Sequence, residues 1–382
     1  MSFLHRPQQV FWRKAAFQVH LWTGILLCLY MIIIGISGSI LVFEKELGHL
    51  TFAKLWKASP PSGHPIEFTE AVSIITAAFP GYQLTAGYPP DQPGDNFEFL
   101  LRRGSQTRDV FLDASTGHIA GEIDPAHSWI AWTIDLHFHL LGGSTGEAIN
   151  GIGGICLLLL CLTGIVIWWP GLKNWTRGLK INLRARWKRI NYDLHSSVGF
   201  WALLILSMWA FTGVYLVWND PIEVFINRFS SIASANRPVV VLPPHDGNIR
   251  PAALLTNLDQ MIRTAKQDSP NATFEGAFFP ANGESALVLL MARSEHRNFR
   301  QSDYIFFDPA TGKQLALWHR GINNTWGARL VFLLTPLHFG YDWGLAIKIL
   351  WALLGCALPL LSATGVLMYW NRSLSKKWQA LR

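Results

Sequence analysis

Charge is scarce in this chain. Asp, Glu, Lys and Arg make up 15% of its 382 residues, against roughly 25% in soluble domains. Four stretches contain none of them: residues 15–43, 148–172, 194–219 and 349–371. Each exceeds the ~20 residues that a helix needs to cross a bilayer, which excludes a soluble domain over those stretches. The first is too long for the apolar core of a signal peptide and has no A-x-A cleavage site. It reads as an uncleaved first membrane helix.

Cysteine is nearly as rare. Cys28, Cys156, Cys161 and Cys356 all fall inside the uncharged runs. They form neither a disulfide framework nor a metal quartet, and packing accounts for them. No Cys-x-x-Cys-His occurs, which excludes covalent c-type haem attachment. A flavin or nicotinamide fingerprint is also missing. Gly151-Ile152-Gly153-Gly154 lies within a membrane run and follows no strand, so it is helix packing and not a phosphate loop.

The net charge of +7 does not point to nucleic acid, because its distribution follows a membrane. Lys173, Arg177, Lys180, Arg184, Arg186, Lys188 and Arg189 crowd one acid-free segment. Arg6, Arg13 and Lys14 lie at the amino end, and Arg372, Lys376, Lys377 and Arg382 at the carboxyl end. By the positive-inside rule all three groups are cytoplasmic. Four helices with both termini cytoplasmic satisfy every sign and leave two larger segments outside.

Four histidines stand at or just before the apolar runs; His137, His195 and His338 each follow a leucine, and His20 precedes one, Leu21. His20 and His195 open the first and third runs, each with a glycine four residues on, Gly24 and Gly199. Each lies seventeen positions before a hydroxyl–glycine pair, Ser37-Gly38 and Thr212-Gly213. His137 and His338 precede the other two runs. Each lies twenty-six positions before Thr163-Gly164 or Thr364-Gly365.

The outside segments repeat as well. Residues 67–79 have helical spacing, with Ala71, Ile74, Ile75 and Ala78 on one face, and the linker 59–63 precedes them. Strands are expected at 83–88, 97–102, 109–112 and 118–121. The second segment has a helix at 252–265 and strands at 273–279, 286–292, 304–307 and 314–318. Val110-Phe111-Leu112-Asp113-Ala114-Ser115-Thr116-Gly117 aligns with Ile305-Phe306-Phe307-Asp308-Pro309-Ala310-Thr311-Gly312. His20 therefore maps on His195, and His137 on His338.

The chemistry of such histidines is restricted. A polar ring at the mouth of a membrane helix is costly unless it is used. A haem iron takes two axial ligands, and imidazole is a common one. His20 and His195 both start inside-to-outside helices, so they share a depth at the cytoplasmic edge. His137 and His338 share the opposite depth. Gly24 and Gly199 leave room for a porphyrin beside each inner ligand. Arg13, two turns before His20, is placed to face a propionate, and Arg189 to do the same for His195. His139 competes with His137, since residues two apart cannot share a helix face; the repeat spacing favours His137.

Other readings remain open here. A single histidine at a helix end is commonly a snorkelling or capping group. His137, His139 and His338 offer three nitrogens to a zinc ion, with Asp135 behind His137, though no suitably spaced carboxylate completes the set. His118, His127, His245, His296 and His319 fall in the outside segments and read as solvated.

The paired Leu-His openings, the Thr-Gly-x-x-x-x-Trp closings (Thr163-Gly164 to Trp169, Thr364-Gly365 to Trp370) and the two Asp-x-x-Thr-Gly segments resemble the PepSY-associated transmembrane family. Its members include bacterial iron-regulated inner-membrane proteins and haem-containing ferrisiderophore reductases. The resemblance implies a membrane α-helical fold of four transmembrane helices in two TM–PepSY–TM repeats, with two periplasmic α+β PepSY-like domains. The expected divisions are 1–44 (amino terminus and first helix), 45–136 (first periplasmic domain), 137–172 (second helix) and 173–192 (basic cytoplasmic loop). Residues 193–219 (third helix), 220–337 (second periplasmic domain), 338–371 (fourth helix) and 372–382 (cytoplasmic tail) follow.

The expected function is an inner-membrane electron carrier with two haem b groups, embedded in lipid. The resemblance implies that its acceptor is a periplasmic ferric siderophore, released as ferrous iron. The donor is expected to be the quinol pool or a cytoplasmic reductase. Trp318-His319-Arg320 and Arg329 are candidates for the docking surface. The rival expectations are a siderophore permease, which needs polar midplane residues that these runs lack, and a non-catalytic PepSY scaffold, which needs no histidines.

Overall fold

A computed structural model describes residues 11–59, 66–172, 174–243, 251–280, 285–293 and 300–374. Arg6, Lys173, His245, His296, Lys376, Lys377, Arg382 and positions 60–63 of the linker lie outside the described residues, as do the side chains of Arg177 and of residues 251–256. The chain divides into two compact units. One comprises Met1–Glu44, Trp132–Phe225 and Leu333–Arg382, and the other Lys45–Ala131 and Ile226–Phe332.

The first unit is helical. Its main helices are α1 (Phe11–Leu26), α2 (Cys28–Leu41), α3 (Gly143–Trp168) and α4 (Trp187–Val217), followed by α5 (Gly344–Gly355) and α6 (Ala357–Tyr369). Among the described residues, three helical stretches are long and apolar enough to cross a membrane: α3, α4 and Tyr341–Ser373, which contains α5 and α6. A fourth arises if α1 and α2 are one span, bent by 65° at their junction. The straight first helix expected over 15–43 is thus broken at Leu27, one turn after the helix-weakening Gly24. The junction of α5 and α6 falls at Cys356. There Pro359 cannot donate to the Gly355 carbonyl, so the helical ladder loses a bond.

These helices pack through glycine. A Cβ on Gly35 would lie 2.8 Å from the Gly355 carbonyl oxygen and 2.7 Å from Pro359 Cδ. A Cβ on Gly154 would meet Val214 at 2.9 Å. Such close backbones replace the hydrophobic effect, which lipid does not supply. Met31, Cys161, Ala202, Leu206, Ala357 and Leu358 fill the interior.

The second unit is an antiparallel sheet of eight strands with helices on it. The strands are β1 (Gln83–Tyr88), β2 (Phe97–Arg103), β3 (Gln106–Leu112), β4 (Ile119–Ile123), β5 (Thr273–Phe278), β6 (Leu287–Ala292), β7 (Ser302–Phe307) and β8 (Gln314–His319). Each expected strand is present within a few residues. The order is β4-β3-β2-β1-β5-β6-β7-β8. Each repeat makes a four-stranded meander, and the two join edge to edge at β1 and β5, where Ala86 pairs with Phe278 and Gly87 with Ala277. The expectation of two separate domains is therefore revised to one sheet with a shared core. Phe97, Phe99, Val110 and Leu112 from one half pack with Leu287, Leu289, Ile305 and Phe307 from the other, beneath helices Phe68–Ala78 and Pro251–Asp268. The join covers two sheet edges that would otherwise be open.

The shared Asp-x-x-Thr-Gly motif is structural. The Asp113 carboxylate accepts the backbone N–H groups of Ser115 and Thr116, and Gly117 takes φ +70°. Asp308 likewise accepts from Ala310 N–H and Thr311 Oγ1, with Gly312 at φ +70°. The motif closes the turn after β3 and β7, where only glycine takes a positive φ without strain.

Candidate functional site

The four repeat-matched histidines form two facing pairs within the helical unit. His20 in α1 and His195 in α4 have ring centroids 6.3 Å apart, with planes at 85°. His137 and His338 have centroids 6.4 Å apart, with planes at 58°. These last two stand near the ends of short helices, Trp129–His139 and Trp326–Phe339, that precede the long ones. The second membrane helix accordingly starts at Gly143 and not at His137. Leu140 and Leu141 make the intervening corner with positive φ, and Asn150 Nδ2 donates to the His137 carbonyl at 2.7 Å.

His137, not His139, faces His338. His139 Nδ1 is 2.8 Å from Asp135 Oδ1, an i,i+4 pair on another face of the short helix. Asp135 thus serves His139 and not His137. Among the described residues, no three His, Cys, Asp or Glu side chains converge as a metal cluster. The four free cysteines stay dispersed.

Each histidine is held by a hydroxyl. His20 Nδ1 lies 3.0 Å from Thr163 Oγ1, and His137 Nδ1 lies 2.9 Å from Ser37 Oγ. His195 Nδ1 is 2.9 Å from Thr364 Oγ1, and His338 Nδ1 is 2.9 Å from Thr212 Oγ1. Every ring therefore bonds within its own repeat and faces its counterpart in the other. The sequence displays the hydroxyl–glycine pairs as spacings, not as partners of the histidines. The missing signal is geometric: each histidine lies before or early in one apolar stretch, and each pair near the end of the neighbouring helix.

The expected glycines are less intimate than these. A Cβ on Gly24 would meet Leu160 at 3.8 Å, and one on Gly199 would meet Leu361 at 3.6 Å, both ordinary contacts. The glycines that touch the rings are Gly38, Gly164, Gly213 and Gly365. Arg13 Nη2 donates to the Ile167 carbonyl, while its buried Nη1 has no hydrogen-bond partner among the described residues. Arg189 turns to Asp193, with Nε 2.8 Å from Oδ1, and lies over the Tyr192 ring. The two arginines are thus not equivalent.

A largely apolar cavity of about 140 Å³ adjoins the second pair. His137, His338, Gly38, Gly213, Trp209 and Tyr30 contribute to its wall, with Glu147 and Asn150 as polar members. His195 and Thr212 share α4 seventeen residues apart, so the two histidine pairs are separated by about 25 Å along that helix.

The remaining candidates lie in the sheet unit and are engaged internally. Arg320 reaches the Tyr304 hydroxyl and lies over Trp318. His319 bonds to Asp303, and Arg329 donates to the Asn323 carbonyl. His127 is paired with Asp124 and exposed, and His118 is exposed.

Residues 17–372 match the model of the PepSY-associated TM region. The chain belongs to this family. A protein of Pseudomonas aeruginosa strain PAO1, itself described as uncharacterised, is 25% identical over 266 residues. That match covers 63% of this chain and 63% of the relative. Family and helices together make this a membrane protein, as its scarcity of charge implies.

Proposed function

We propose that the protein is a transmembrane electron carrier that binds one haem b at each histidine pair and reduces a ferric siderophore on the periplasmic side. The carrying observation is the separation of the two ring pairs. Half of 6.3 or 6.4 Å, about 3.2 Å, suits an imidazole–metal bond of about 2 Å plus the radius of the ring. Three further observations agree with a haem. The cavity at the second pair is largely apolar, glycines lie against all four rings, and Arg13 keeps a buried Nη1 without a hydrogen-bond partner among the described residues, free to meet a propionate.

Bound haem supplies one-electron redox chemistry, tuned by its axial ligands and their hydrogen bonds. The chain does the rest. His20 with His195, and His137 with His338, would hold the two haem groups. Helix α4 sets the two sites at opposite depths, and the packed apolar interior keeps water from both. Arg13 supplies positive charge at the inner site. The ferric chelate takes up one electron and becomes ferrous, which weakens its hard oxygen ligands. No proton moves, so no acid or base residue is needed. With neither a flavin nor a nicotinamide fingerprint in the sequence, electrons come from a membrane quinol or a cytoplasmic reductase. The distribution of positive charge supports a His20–His195 pair at the cytoplasmic edge of a bacterial inner membrane.

The test is the visible spectrum of the purified protein. A Soret band, two b-type haems per chain by pyridine haemochrome, and reoxidation of the reduced protein by a ferric chelate are expected. A folded, colourless preparation from haem-replete cells would sink the proposal.

A further inference from the structure

We infer that the four hydroxyl–glycine pairs are positioning devices that lock the four histidines in the Nδ1–H tautomer, leaving each Nε2 bare for a metal. A hydroxyl has one proton and two lone pairs. Ser37 Oγ donates to the Ile33 carbonyl at 2.7 Å, and Thr163 Oγ1 to that of Leu159 at 2.7 Å. Thr212 Oγ1 donates to Met208 at 2.8 Å, and Thr364 Oγ1 to Leu360 at 2.7 Å. Carbonyls only accept, so the single proton of each hydroxyl is committed. The bond to each Nδ1 must then run from ring N–H to oxygen. His20 provides independent support, since its Nδ1 also lies 3.1 Å from the Leu160 carbonyl oxygen. A neutral imidazole protonated at Nδ1 carries its lone pair on Nε2.

The glycine sets the depth of the ring. A Cβ added at Gly38, Gly164, Gly213 or Gly365 would lie 2.9, 3.4, 3.5 or 3.3 Å from Cε1 of its histidine, the carbon between the two nitrogens. Ordinary helix packing does not account for this. Gly151, Gly153 and Gly154 are as tightly packed, but they meet Trp218, Tyr30 and Val214. Among the described residues, only the glycines that follow these four hydroxyls carry an imidazole.

The arrangement also has a redox consequence, which rests on the haem reading. Each Nδ1–H feeds a hydroxyl that feeds a carbonyl, and such chains strengthen one another. An acceptor behind Nδ1 raises the basicity of Nε2. A more basic axial ligand favours oxidised iron, so loss of the hydroxyl should move the potential of that site upward.

Thr212→Val keeps the side-chain shape and removes the acceptor, while Thr212→Ser keeps it. In the haem-loaded full chain, Thr212→Val should raise one of the two midpoint potentials, and Thr212→Ser should restore the wild-type value. Unchanged potentials in Thr212→Val would overturn the inference. If Thr212→Val loses one haem, retention of both by Thr212→Ser supports it, and loss in both variants refutes it. A second measurement needs no haem. Nitrogen-15 resonances of the histidine rings in the haem-free full chain should show Nδ1 protonated and Nε2 bare at the four sites. An Nε2–H tautomer there would overturn the inference. A wild-type chain that never takes up haem would instead defeat the electron-carrier proposal, and the nitrogen-15 result would still decide this one.

Discussion

His137 and His338 come from different halves of the repeat, yet their ring centroids stand 6.4 Å apart, with each Nδ1 bonded to a hydroxyl of its own half. His139, two residues on, bonds to Asp135 instead. Replacing His139 by Ala should therefore leave the haem content of the purified protein unchanged, whereas His137→Ala should lose about half of it. Pyridine haemochrome measures both. Loss in His139→Ala with retention in His137→Ala would assign the ligand to the other histidine.

Gly38 and Gly24 separate contact with a histidine ring from contact with a leucine. A Cβ at Gly38 would sit 2.9 Å from His137 Cε1, while one at Gly24 would sit 3.8 Å from Leu160. Gly38→Ala must displace the ring or the helix, at a cost of roughly 1–3 kcal/mol. It should deplete or broaden the spectrum of one haem. Gly24→Ala should leave both spectra as they are. Equal loss in the two variants would mean that Gly24 faces the cofactor as closely as Gly38 does.

The strands were legible in the sequence to within a few residues, because Gly, Pro and Asp bound short alternating runs and the repeat supplies a second copy to check against; the break at Leu27 and the start of the second membrane helix at Gly143 were not. The single sheet was not. It depends on a short pairing of β1 with β5 through Ala86, Gly87, Ala277 and Phe278, which carries no turn signal or charge pattern. The matched spacings identified four equivalent histidines and preferred His137 to His139. They did not reveal which hydroxyl each ring meets, since that depends on how antiparallel helices dock. Nor did they distinguish Arg189 from Arg13, because the Asp193 that engages Arg189 acts through side-chain geometry.

Asp109 should make the stability of the sheet unit depend on pH. It lies in β3 opposite Leu100 and Ile123. Burial, then the Glu98 and Asp124 carboxylates, push its carboxyl up to about 7. From its ordinary value up to about pH 7, the folded state keeps a proton that the unfolded state has lost. Stability is then greatest below that window and falls as pH rises through it. Asp109→Asn should remove this slope and stabilise the unit by roughly 1–3 kcal/mol above pH 7. Chemical unfolding of the full chain at pH 5 and pH 8 measures the difference. A variant with the wild-type pH dependence would refute the assignment.

The charge distribution predicts the orientation on which the electron path depends. A reporter fused after Arg382, or inserted within the basic segment 173–189, should report the cytoplasm. One within 89–96, between β1 and β2, should report the periplasm. A periplasmic signal from the basic segment would exchange the inner and outer assignments of the two histidine pairs.

On the proposed reading and with that orientation the two sites would act in series, and single replacements should have different consequences on the two sides. His195→Ala removes one imidazole of the His20–His195 pair and leaves His137 and His338 in place. His338→Ala does the reverse. Either change should stop electron flow from a cytoplasmic donor to an external ferric chelate, because the pairs stand about 25 Å apart along α4 and neither can be bypassed. A chemical reductant supplied outside feeds only the outer site. Under that condition the His195 variant should still reduce the chelate, and the His338 variant should not. Absorbance of a ferrous-specific dye in oriented vesicles gives the rates. Equal rates in the two variants with external reductant would show that the chelate is not reduced through the His137–His338 site.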